Sequence, residues 1–304
     1  MEVNKEFILK LKKFKDLGEN EKPSILSNTM FKTMFYNSKR IKYSAKLLSY
    51  YLDISYEELL NNIKLVKSEL DKEYNDSKEE RSDYVAEINN SKINIEINNN
   101  SSIEAMERNM EYAFRLYSEK IKIGKTYKDN YNQVIQININ NFSFIGNDKI
   151  VDIYSFQNDS GIVLNNKITI IQIYVPNLRK KCYTIGKERL SEEEKYLLGL
   201  VEEDKDFSKD IGKDLDIVIE YVNEAGEVTM GTNFGEAYDK EWALLDQGRR
   251  EGREEGIKEG MEKGREEKTK SLAVKMYLEK IDIETISRIT ELSIEEINEL
   301  IKDI

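Results

Sequence analysis

Along residues 82–98, SDYVAEINNSKINIEIN, apolar and polar positions alternate on either side of Asn89-Asn90. Ile93, Ile95 and Ile97 fall on one face and Asn94, Glu96 and Asn98 on the other, while Tyr84, Ala86 and Ile88 fall opposite Asp83, Val85 and Glu87. That period of two belongs to a half-buried strand and predicts two strands joined as a hairpin. Asparagine tolerates the left-handed backbone of a two-residue turn, so the turn is placed at Asn89-Asn90. Counting outward from it sets Asp83 directly across from Glu96. A slip of one residue would part them.

Other stretches follow the period of a helix. Phe7, Ile8, Leu11 and Phe14 among lysines predict an amphipathic helix over 2–16, broken by Asp16 to Pro23. Met30, Phe31, Met34, Phe35, Ala45, Leu47 and Leu48 predict helix within 28–51, and a polar helix follows near 56–62. Ile63 to Leu70 reads as a first strand and Tyr74 to Arg81 as a charged loop. After the hairpin, Ser101 and Glu104 have capping-box spacing, Ile103, Met106, Met110, Phe114, Tyr117 and Ile121 line an apolar face, and Gly124 stops the helix. Residues 133–144 alternate again, with Ile135, Ile137 and Ile139 against Gln136, Asn138 and Asn140; Ile168 to Val175 reads as a buried strand, 191–226 as helices and 224–240 as a glycine-containing link.

From Gly248 the chain changes character. Gly248, Gly252, Gly256, Gly260 and Gly264 recur every fourth residue among Glu, Arg and Lys. On a helix they trace a slowly drifting stripe, and each costs a lone helix about 1 kcal/mol relative to alanine. A partner helix approaching closely at Gly252, Gly256 and Gly260 would offset that cost, which predicts a homo-oligomer, most simply a dimer. Amphipathic runs at 271–290 and 293–301 with a short turn between them predict a closing helical hairpin. Its second helix, SIEEINELIKDI, is too acidic to read a DNA groove and is expected to pack or oligomerise.

Composition narrows the chemistry. The chain has no histidine, which excludes Ser-His-Asp triads, Cys-His pairs and His-containing zinc sites. Neither a phosphate-binding Gly-x-x-x-x-Gly-Lys loop nor a strand-linked Gly-x-Gly-x-x-Gly is present, so no nucleotide cofactor is expected. No stretch reaches the roughly 20 apolar residues of a membrane span. Cys182 is the single cysteine, and MEVNKEF lacks the basic start and apolar run of a signal peptide, so a cytoplasmic protein is expected. The net charge of -11 is unevenly spread: residues 1–50 hold eleven Lys or Arg against five Asp or Glu, 101–190 thirteen against nine, and 191–304 seventeen against thirty-two. Phosphate binding depends on local basic surface, which the first two stretches supply.

The facing Asp83 and Glu96 are where chemistry concentrates. Directly opposed side chains have Cβ atoms roughly 4.5–5.5 Å apart, and two like charges there are unfavourable unless a cation lies between them. One reading is a solvated polar face; the other is a Mg2+ or Mn2+ site, since Mg2+ is commonly held by one or two carboxylates with waters and phosphates. Asn98 emerges on the same face as Glu96. Arg108 and Arg115, on the helix after the hairpin, and Lys32 are the candidate cations for touching a substrate, although such residues more often just pair with neighbouring acids.

An aspartate on one strand followed by Glu-x-Lys on the next resembles the signature of the PD-(D/E)XK nuclease superfamily, here as Asp83 and Glu96-Ile97-Asn98. NIEIN followed by Arg108, Tyr112, Tyr117, Gly124 and Tyr127, with an opening Phe31-Lys32 and Phe35, is similar to the Rpn-type recombination-promoting nuclease and putative transposase family. That family usually has glutamine where the superfamily has lysine, and this chain has Asn98. An amide can orient water or touch a metal but brings no positive charge. The resemblance implies an α/β fold with a restriction-endonuclease-like core, a mixed sheet in the order α-βββ-α-β flanked by helices, over 1–180. A helical extension is then expected over 181–240 and a helical tail over 241–304. It also implies a bacterial, metal-dependent DNA endonuclease with Asp83 and Glu96 as metal ligands and Asn98 as a water or metal orienter, acting in recombination, mobile elements or phage defence. The competing expectation is a nuclease-fold interaction protein of little or no activity, tethered through its tail.

Overall fold

Alternating strands and amphipathic helices build a six-stranded sheet whose central strands are covered on both faces, while the strand Val151–Gln157 at its edge is largely exposed. The structure, a computed structural model, describes residues 3–4, 6–66, 82–99, 103–118, 133–229 and 233–302. The chain divides into two compact units, 1–245 and 246–304. In the first, β1 (Val3–Asn4) precedes helices α1 (Asn28–Phe35), α2 (Ile41–Tyr51) and α3 (Tyr56–Asn62). Next come β2 (Lys64–Leu65), β3 (Tyr84–Ile88), β4 (Ser91–Asn98) and helix α4 (Ile103–Ser118). Strands β5 (Val134–Asn140), β6 (Ser143–Phe144), β7 (Val151–Gln157) and β8 (Val163–Tyr174) follow. Helices α5 (Val175–Ile185), α6 (Glu192–Val201), α7 (Lys205–Ile211) and α8 (Asp216–Val228) lead into α9 (Phe234–Leu278).

The sheet order is β2-β3-β4-β5-β8-β7, with β4, β5 and β8 parallel and the outer pairings antiparallel; β1 pairs with β6 separately. The mixed sheet and flanking helices match the nuclease-like α/β fold that the sequence resemblance implied. Both Asn89 and Asn90 take positive φ, 49° and 59°, and the hairpin sets Tyr84 opposite Ile95 and Ile88 opposite Ser91, the expected register.

One face carries Tyr84, Ile93, Ile95, Ile97, Ile137, Ile139, Ile171 and Ile173, and its core includes Phe31, Met34, Phe35, Leu47 and Leu48 of α1 and α2. The same core takes in Tyr196, Leu197, Leu200, Val218, Tyr221 and Val222, so the 181–240 helices share the main core. On the other face Val85, Val134 and Ile168 cluster with Tyr112, Ala113 and Leu116 of α4. The central strands are therefore covered on both sides, and the polar face expected to be half-open is buried at Asn94, Glu96, Asn98, Gln136, Asn138 and Asn140. Interior parallel strands flanked by helices require this.

Several local expectations are corrected. Among the described residues of 2–16 there is no α-helix: Phe7 has φ 58°, and Phe14–Asp16 forms a short 3-10 segment. Leu9 and Leu11 are buried at alternate positions, and the backbone bonds to side chains, Leu9 N–H donating to Asn141 Oδ1 at 2.9 Å and Asn141 Nδ2 to Leu9 O at 2.7 Å. Tertiary partners outweigh the helical spacing here. Lys22 is buried with its ammonium on the carbonyls of Leu200 and Glu202, where it satisfies the C-terminal end of α6.

Helix α4 buries Asn109, Tyr112, Ala113 and Leu116, while the expected face members Met110 and Phe114 are 46% and 41% exposed. A helix lying on carboxamides and small apolar groups turns its largest apolar stripe elsewhere. The expected link over 224–240 is mostly helix, since α8 runs to Val228 and α9 starts at Phe234. Strand β7 and helix α5 lie where the sequence has no clear period. The Ile63–Leu70 strand is described only as Lys64–Leu65, and Tyr74–Arg81, Ser101, Ile121, Gly124 and Tyr127 lie outside the described residues.

In the second unit, α10 (Ile283–Thr290) and α11 (Ile294–Ile301) form the expected hairpin around buried Ala273, Ile286 and Ile297. Glu291 ends α10 at φ 61°, the left-handed position that favours glycine.

Candidate active site

Because the hairpin keeps its register, Asp83 and Glu96 meet at one end of β3 and β4. The Asp83 backbone N–H donates to Glu96 Oε1 at 3.3 Å, and the Ile97 N–H donates to Asp83 Oδ2 at 3.1 Å. Asn94 Nδ2 also donates to Glu96 Oε1, at 3.1 Å. Both carboxylates are buried.

Burial, reinforced by the Asp83 charge, pushes Glu96 up to about 8. Burial also raises Asp83, opposed chiefly by Lys32, whose Nζ lies 3.1 Å from Asp83 Oδ1. Lys32 comes from α1, on the far side of the sheet from α4. Of the three candidate cations it is the one in direct contact with the acid pair.

Asn98 lies within a buried carboxamide network. Its Oδ1 accepts from Arg108 Nη2 at 3.3 Å and from Asn109 Nδ2 at 3.2 Å. Its Nδ2 donates to Asn140 Oδ1 at 3.0 Å, and Asn140 Nδ2 donates to Gln172 Oε1 at 2.8 Å. Arg108 lies 5.8 Å from the Tyr112 ring centroid, and its charge favours ionisation of both carboxylates. Arg115 pairs instead with Glu111 at 2.7 Å. Thus Asp83, Glu96, Asn98, Lys32 and Arg108 converge, and Arg115 is held by its own helix neighbour.

The supporting amides at 109, 138, 140 and 172 were not anticipated. Their signal is in the sequence: the polar positions of QININN at 136–141 are carboxamides, and in the parallel register Asn138 lies beside Glu96 and Asn140 beside Asn98. Among the described residues no third Asp, Glu or Cys completes a protein cage for a metal. Two opposed buried carboxylates, both biased towards the neutral form, nevertheless make a donor set short of positive charge. That chemistry fits a divalent cation completed by water and phosphate oxygens.

No curated protein and no solved structure matches the chain. The family described as PD-(D/E)XK nuclease family transposase matches residues 27–242, which include α1, the carboxylate pair, α4 and the whole six-stranded sheet. With that span and this fold, the chain belongs to the PD-(D/E)XK nuclease family transposases.

Proposed function

We propose that the chain is a metal-dependent DNA endonuclease that hydrolyses phosphodiester bonds, with Asp83 and Glu96 as the ligands of Mg2+ or Mn2+. The supporting observation is the buried, opposed carboxylate pair, whose mutual repulsion a divalent cation would relieve. When bound, the cation supplies Lewis-acid polarisation of the scissile phosphate and activation of the attacking water. The chain's own groups do the rest. Ile97 N–H fixes the Asp83 carboxylate, and Asn94 fixes that of Glu96. Lys32 places a positive charge at the pair from α1, a charge that Asn98 cannot bring from β4. A transposase-related nuclease family favours a role in recombination, mobile elements or phage defence.

The test is nicking of supercoiled plasmid with Mg2+ or Mn2+, with and without chelator, by wild type, Asp83→Ala and Glu96→Ala. Cleavage by wild type alone, stopped by chelator, is expected. Cleavage that persists in both variants overturns the site. A wild-type chain inactive with either metal favours the second reading, a nuclease-fold interaction protein, to which the internally bonded Asn98 in place of lysine lends weight.

A further inference from the structure

The superfamily's strand lysine is replaced by an amide whose two ends are both engaged. Arg108 can only donate, so the Asn98 group facing it is the oxygen, and the Asn98 nitrogen is left to face Asn140. Asn140 must then present its oxygen to Asn98 and its nitrogen to Gln172. The second donor on Asn98 Oδ1, Asn109 Nδ2, agrees with the same polarity. Asn98, Asn109, Asn140 and Gln172 are all buried, whereas Arg108 is exposed at the surface end of this chain of amides. Reversing any one amide would set donor against donor or acceptor against acceptor. The network thus has one polarity, and it terminates in the Arg108 guanidinium, bonded to a side chain two residues along β4 from Glu96.

We propose that Asn98 is a positioning residue whose amide oxygen, oriented by Asn140 and Gln172, holds the Arg108 guanidinium where it binds a substrate phosphate next to the carboxylate pair. This rests on the nuclease reading above. Strand β4 supplies an acceptor, and helix α4 supplies a second cation in addition to the one Lys32 brings from α1. A guanidinium suits this role, because its hydrogen bonds to Asn98 and Asn109 both use Nη2 and its planar fork matches phosphate oxygens.

The full chain is titrated against a fluorescein-labelled oligonucleotide, duplex and single-stranded, by anisotropy in Ca2+ from low to moderate salt, for wild type, Arg108→Ala, Asn98→Leu and the double variant. Loss of one phosphate contact lowers the slope of log affinity against log salt by about 1 and weakens binding about tenfold. Arg108→Ala and Asn98→Leu are each expected to do this, and the double variant to do no more than either alone. A fold requirement alone would not move the salt slope. If Asn98→Leu does not fold, Asn98→Ser, too short to reach Arg108, replaces it with the same expectations. Asn98 variants that keep the wild-type slope, or losses that multiply in the double variant, overturn the inference while leaving the nuclease reading in place. A wild-type chain that binds neither form of DNA overturns both.

Discussion

Lys32 Nζ meets Asp83 Oδ1 at 3.1 Å, although α1 packs Phe31 against Tyr84 on the opposite face of the sheet from α4. The contact is made around the sheet's end, so the acid pair is approached by one helix from each side. The Lys32 side chain is 43% exposed and that of Asp83 7%, which makes the pair worth little to stability and much to the charge state of Asp83. Lys32 opposes the rise that burial imposes on the Asp83 pKa. Lys32→Ala is therefore expected to raise it and to move the acid limb of the pH-rate profile to higher pH, with kcat lowered about tenfold to a thousandfold. An unmoved acid limb would detach Lys32 from the site.

Asp83→Ala and Glu96→Ala each remove a ligand rather than core volume. Metal-dependent cleavage is expected to fall by at least about a thousandfold in either, with cooperative unfolding retained. Above about pH 8, where both facing carboxylates are ionised, removing one also relieves a repulsion, so the metal-free melting temperature there is expected to stay level or rise. Calorimetry with and without Mn2+ checks this: the metal-induced rise seen in wild type should vanish in both variants.

The direction of the Glu96 shift gives a pH test. Its carboxyl is raised from an ordinary 4.5 to about 8, so between those values the folded chain holds a proton that the unfolded chain has released. The stability this proton confers is fully present below the unfolded pKa and is lost as pH rises through the folded one. Glu203, pushed by burial to about 7, slopes the same way, so the readout is the difference between proteins. Metal-free wild type is expected to lose on the order of 1–3 kcal/mol more than Glu96→Gln between pH 5 and 8. Parallel denaturation midpoints across that range would show that Glu96 titrates normally.

Restoring the superfamily's lysine by Asn98→Lys is not expected to rescue or enhance the enzyme. Asn98 is 4% exposed and bonded to Arg108, Asn109 and Asn140, so a lysine there would put a second cation against Arg108 and leave buried amides without partners. A loss of about 2–4 kcal/mol is expected, from the unpaired polar groups and the buried like charges together. Denaturant unfolding of the full chain measures it, and a variant as stable as wild type with faster cleavage would reverse the argument.

The hairpin was legible because two asparagines fix its turn and a period of two fixes its faces. Burial of its polar face was not, since alternation looks the same whether the polar side meets water or a helix carrying Asn109. The rotation of α4 has the same origin: the sequence shows where Met110 and Phe114 lie on the helix but not that the sheet beneath offers carboxamides. Lys32 was placed among the candidates by its motif. Its contact with Asp83 depends on how α1 docks at the sheet's end, which no local periodicity encodes.

The glycines of α9 separate a linker from an interface. Among the described residues a Cβ at Gly252, Gly256, Gly260 or Gly264 would meet nothing within 4 Å, so none of them requires glycine there. Alanine at three of them should strengthen an isolated helix by about 1 kcal/mol per site. Ile257 and Met261, 54% and 72% exposed, lie one turn apart among these glycines and gain from a covering partner. If two copies pack along this stripe, Gly252→Ala/Gly256→Ala/Gly260→Ala is expected to raise helicity while weakening association at least tenfold, because methyl groups hold the backbones apart. Light scattering at micromolar concentration should then find a dimer for the full chain and a monomer for a chain ending at Gln247. A full-length monomer, or an association indifferent to the three alanines, would leave the stripe as a solvated helix with no role in assembly.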